Sequence, residues 1–96
     1  MLFHVTHCHT PELCPADSPK KMKKTVGIVE SDAHAKKVGV KVLGRYIAPA
    51  EHTQFFIVEA KSYETVTEFL RPMMKIGTQR ITPVSVLGKA IKTFMK

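Results

Sequence analysis

Residues 53–72 read Thr-Gln-Phe-Phe-Ile-Val-Glu-Ala-Lys-Ser-Tyr-Glu-Thr-Val-Thr-Glu-Phe-Leu-Arg-Pro, a strand running directly into a helix. Thr53 to Glu59 contains the unbroken apolar run Phe55-Phe56-Ile57-Val58, which predicts a strand buried on both faces. Ser62 is a helix-capping residue, Val66, Phe69 and Leu70 recur at helical spacing, and Pro72 closes the helix after Arg71. A strand feeding an amphipathic helix is half of an α+β layer, and the flanking sequence supplies the other half.

Upstream, Val40 to Ala48 reads as another strand, joined to the one at Thr53 by the turn Pro49-Ala50-Glu51. Ser18-Pro19 starts a helix whose apolar stripe is Met22, Val26, Val29 and Ala33, and Gly39 ends it. Met1 to His9 is a first strand, stopped by Thr10-Pro11. The proline-containing segment Thr10 to Ser18 is a loop. Downstream, Thr78 to Leu87 is a fourth strand, in which Pro83 requires an edge position or a bulge. Gly88 then breaks the chain before a short amphipathic tail at 89–96, whose Ile91, Phe94 and Met95 need a surface to pack on. The order is β-α-β-β-α-β, an α+β single domain over residues 1–96.

Ninety-six residues bury only about 60–65% of the unfolded surface, so the core is modest and dimerisation would add to it. The formal charge of +7 invites an anionic partner. The lysines are spread, however: Lys20, Lys21, Lys23 and Lys24 lie at one helix start, Lys36, Lys37 and Lys41 near its end, and Lys89, Lys92 and Lys96 on the tail. No nucleic-acid recognition motif accompanies them, so they read as a solvated surface. Neither a membrane-length apolar run nor a signal-peptide pattern is found, and a cytoplasmic location is the expectation.

The opening Met1-Leu2-Phe3-His4-Val5, the stretch from Phe56 to Val66 and the segment Ile81-Thr82-Pro83-Val84 resemble the layout of dimeric α+β-barrel proteins, the small muconolactone-isomerase-like and antibiotic-biosynthesis-monooxygenase-like domains. The resemblance implies a ferredoxin-like fold with a four-stranded antiparallel sheet, and a homodimer. It assigns no catalytic residue, because such folds host unrelated activities. The chain departs from the isomerase pattern at His7-Cys8-His9 and in the cysteine-containing loop beyond it.

That departure is where the chemistry concentrates. His4, His7, Cys8, His9 and Cys14 fall within eleven residues. Alternation along a strand puts His7 and His9 on one face and His4 and Cys8 on the other, and the loop can return Cys14 to either. In a ferredoxin-like sheet the first and third strands are antiparallel neighbours, which brings His52 beside the end of the first strand and leaves His34 remote. Met73, Met74 and Arg80 come to the same end as His7 and His9. The expected ligands are therefore His7, His9, Cys14 and His52, with Cys8 as the alternate. Imidazole and thiolate donors suit zinc or copper.

Plainer roles compete for these residues. His4, beside Leu2 and Phe3, reads as a structural histidine, Cys8 as a small buried hydrophobe, and Phe55, Phe56 and Phe69 as core. Arg45, Tyr46 and Arg80 are surface residues unless they line a pocket for a small organic or anionic ligand. The sequence thus points first to a small metal-binding protein with its site at the end of the first strand. The alternative is an isomerase or cofactor-independent monooxygenase-type enzyme acting on a small organic acid or aromatic compound.

Overall fold

Phe3, Val5 and His7 alternate with Leu2, His4 and Thr6. In the computed structural model, which describes residues 1–95, the first set is buried and the second half-exposed. This strand, β1 (Leu2–Cys8), pairs antiparallel with both β3 (Thr53–Glu59) and β4 (Thr78–Val84). The strand β2 (Lys41–Ala48) adds outside β3, giving the order β2-β3-β1-β4, as a ferredoxin-like α+β fold requires. Pro83 lies on the edge strand opposite Phe3, where its missing N–H costs no pairing.

The strand β2 is irregular at one point. Val42 pairs with Val58, yet Gly44 pairs with Ile57, so one extra residue is accommodated between them. Such a bulge reverses the side-chain alternation beyond it. Arg45 and Ile47, opposite Phe56 and Gln54, turn toward the helices, and Tyr46 turns away.

The helices between β1 and β4 pack on one face of the sheet. The segment expected as one helix from Ser18 to Gly39 is three: α1 (Pro19–Lys24), α2 (Val26–Val29) and α3 (Asp32–Val38). Side-chain oxygens break it. Thr25 Oγ1 donates to the Lys21 carbonyl at 2.8 Å, and Ser31 Oγ accepts from the His34 N–H at 3.3 Å, starting a new helix. The break shifts the inward face, so Ala35 is buried and Ala33, expected inside, is exposed. Gly39, at φ 85°, ends α3 in the left-handed conformation.

The helix α4 (Tyr63–Leu70) is capped by Ser62 Oγ, and Pro72 sits in a 3-10 turn, Arg71–Met73, that buries Met73. Phe3, Val5, Phe56 and Val58 from the sheet pack with Val29, Val66, Phe69 and Leu70 from the helices. Within the single chain β3 is buried on one face: Phe55 and Ile57 lie half-exposed on the sheet face that no helix among the described residues covers. The fourth strand ends at Val84, and Gly88, expected to precede the tail helix, lies inside α5 (Leu87–Phe94). No residue of α5 is buried. No helix among the described residues is long and apolar enough to cross a membrane.

Candidate metal centre

The end of β1, the loop after it and the turn before β3 converge. Past Cys8 the chain stays tied to its neighbour, because the His9 N–H donates to the His52 carbonyl at 3.2 Å. His52 succeeds the 3-10 turn Pro49–Glu51 in the left-handed conformation, φ 50° and ψ 41°. For a non-glycine residue that conformation costs roughly 1 kcal/mol, and such strain concentrates at functional sites. The loop makes two further 3-10 turns, Pro11–Leu13 and Pro15–Asp17, with Cys14 at their junction and the buried Pro15 holding it against the domain.

One donor atom from each of His9, Cys14 and His52 lies within 4.8 Å of the others. Tetrahedral zinc with bonds of about 2.0–2.3 Å holds its donors roughly 3.3–3.8 Å apart. Small side-chain rotations inward complete three corners of that tetrahedron. The His9 and His52 rings meet edge to face, with centroids 5.3 Å apart.

Hydrogen bonding fixes which nitrogen of His9 is free. Gln79 Nε2 donates to the Met73 carbonyl at 3.2 Å and to the Gly77 carbonyl at 3.4 Å, so its Oε1 is turned toward His7. That oxygen accepts from His7 Nδ1–H at 2.9 Å, leaving a lone pair on His7 Nε2. His7 Nε2 in turn accepts from His9 Nδ1–H at 2.8 Å. The chain of assignments ends at His9 Nε2, which must carry a lone pair, and this atom is buried without a partner. Burial lowers the pKa of both rings. For His7 the Gln79 hydrogen bond pulls back upward and the His9 charge adds to the lowering; for His9 the His52 charge adds to it. Both imidazoles are held in the neutral form that binds metals.

Two of the five expected ligands stand outside the cluster. His7 is fully buried behind His9 with both ring nitrogens engaged, Nδ1 by Gln79 and Nε2 by His9. Cys8 is exposed on the opposite sheet face, with Sγ 3.5 Å from Thr53 Oγ1. His34 is engaged elsewhere, its Nε2 2.9 Å from the Phe69 carbonyl. Met73 comes to this end, contributing its carbonyl to Gln79, with the exposed Met74 next in the chain; Arg80 reaches the same end beside Thr6, but exposed on the uncovered face.

Sequence reasoning misses Gln79. The available signal is alternation: Ile81 packs on the core, so Gln79, two residues earlier, shares its face and pairs across from His7. Gly77 is required beside it, since a Cβ there would run into the Cys8 carbonyl oxygen and His7 Cε1.

A cavity of about 180 Å³ opens beside the cluster, lined by His9, Cys14 and His52 together with Met22, Val26 and Ile47. An ion held by the three donors would present its fourth coordination position near this mostly apolar space. No curated protein matches the chain. The match is to a family described as "Domain of unknown function (DUF3303)" and extends over residues 1–96, so the chain belongs to the DUF3303 family.

Proposed function

We propose that this protein binds a transition metal ion through His9, Cys14 and His52, with a fourth position open to water or a small ligand. The observation that supports it best is the buried, unpartnered His9 Nε2. A basic nitrogen left without a partner in a protein interior is costly, and here a relay from Gln79 through His7 aims that lone pair out of the network. Two imidazoles and one thiolate form a borderline donor set that suits zinc first and cuprous copper second. The thiolate must be reduced, which a cytoplasmic location supplies.

The same reading takes the protein as a homodimer joined through the uncovered sheet face. That face carries Leu2, Phe55, Ile57 and Tyr46, and α5 has its own unburied apolar side chains Leu87, Ile91 and Phe94.

The test is metal analysis of untagged, reduced protein after dialysis against zinc, and against cobalt(II) as an optical probe. About one ion per chain is expected, with thiolate-to-cobalt charge transfer that disappears in Cys14→Ser. Absence of retained metal under reducing conditions, or unchanged binding in His9→Ala, Cys14→Ser and His52→Ala alike, overturns the reading.

A further inference from the structure

Among the described residues, two buried side-chain polar atoms lack a hydrogen-bond partner: His9 Nε2 and Arg45 Nη2. They belong to residues lining two adjoining cavities. The cavity of about 180 Å³ beside the metal cluster and one of about 280 Å³ beside Arg45 share Val26, Ile47 and Gln54 as walls. Together they form a cleft with polar ends, its middle walled by Val26, Ile47 and Gln54.

The middle is a gap in the helix layer. Ile47 lies on the helix-facing side of the sheet, opposite Gln54, yet is 59% exposed. An apolar side chain on the inward face with no cover marks space that the protein's own core does not fill. The break between α1 and α2 at Thr25 lies next to Val26, on the other wall.

The Arg45 end is built rather than incidental. The bulge in β2 turns Arg45 inward, and its guanidinium is then held at two points: Nη1 donates to Asp32 Oδ1 at 2.8 Å and Nε to the Val29 carbonyl at 3.3 Å. That leaves Nη2 as a fixed cationic donor without an acceptor. Charged donors pair most strongly with carboxylate oxygens. Glu30 also lines this cavity but is exposed, and Asp32 is already engaged with Nη1.

We infer that the cleft binds a small carboxylic acid, its carboxylate on Arg45 Nη2, its apolar body along Val26 and Ile47, and its far end toward the metal cluster. The inference rests on the metal reading for what the far end meets. The carboxylate contact stands on Arg45 alone, so the two are separable by experiment.

The experiment titrates benzoate and benzamide into the full chain, metal-free and zinc-loaded, by calorimetry, and repeats the titration with Arg45→Met and Arg45→Lys. Benzoate is expected to bind the parent at least about tenfold more tightly than benzamide, which has the same ring without the charge. Arg45→Met should lose that preference while its cobalt(II) spectrum stays that of the parent. Arg45→Lys, which keeps the charge facing Asp32, should retain part of the preference and guards against loss of fold. Equal binding of acid and amide by the parent, or no benzoate binding in either metal state, overturns the inference. Selective benzoate binding by a protein that holds no zinc upholds the acid site and sinks the metal reading instead.

Discussion

Replacing Gln79 with leucine removes the acceptor for His7 Nδ1–H at nearly constant side-chain size, and the effect should be felt at His9, two hydrogen bonds away. Freed of that acceptor, His7 can adopt the other tautomer, turn its own N–H toward His9 and force the His9 lone pair back into the network. Loss of such an orienting contact typically lowers metal affinity 10–100-fold. A zinc competition titration of Gln79→Leu should show a drop of about that size with the stoichiometry unchanged. The same two histidines give the fold a pH dependence. Burial lowers their pKa from the ordinary 6.5, so the unfolded chain takes up protons first as the pH falls. Proton uptake by the unfolded state favours unfolding, so the stability they contribute is complete above about pH 6.5 and is lost toward the lower folded-state values. Urea midpoints of the metal-free protein should fall between about pH 7 and 5, and less so in His7→Gln. At this scale strand alternation and strand order were enough to bring His9 and His52 together, and the loop's length allowed Cys14 to return to them. The sequence did not disclose that His7 would be a relay, since that depends on Gln79 reaching across from β4.

Elements show the same division. Every strand was legible from its apolar run and its bounding turns, and β3 matches residue for residue. The segment between β1 and β2 was not. Thr25, Glu30 and Ser31 sit inside an apolar periodicity that continues past them, and periodicity does not register hydroxyls engaging a backbone carbonyl, as at Thr25, or a backbone N–H, as at Ser31. The β2 bulge is equally silent in sequence, and it decides that the side chain of Arg45 and not that of Tyr46 turns toward the helix layer. The loop carrying Cys14 has its own prediction. His9 and His52 are already joined by a backbone bond, so an ion adds little constraint between them, whereas Cys14 belongs to a segment of 3-10 turns with few backbone bonds. Zinc should therefore slow hydrogen exchange at the amides of residues 10–18 and leave those of β1 and β3 nearly unchanged. Uniform slowing across the sheet would show that the ion binds somewhere else.

For the whole molecule, the question is what covers the face that carries Phe55 and Ile57. Sedimentation at micromolar concentration should give a homodimer, and removing α5 should weaken the dimer more than the fold, because none of its residues is buried within the chain. A monomeric mass for the parent protein would count against the interface. Side-chain alternation also governs how two copies would relate. Val5 and His7 point to the helix layer, and Thr6 and Cys8 between them point to the open face. A dimer built on the open face therefore leaves each metal cluster on the far side of its own sheet, sharing no residue with its twin. Two such sites have no structural means of sensing each other's occupancy, so zinc should fill the dimer along a simple hyperbola, with a Hill coefficient of about one and the same affinity at every protein concentration.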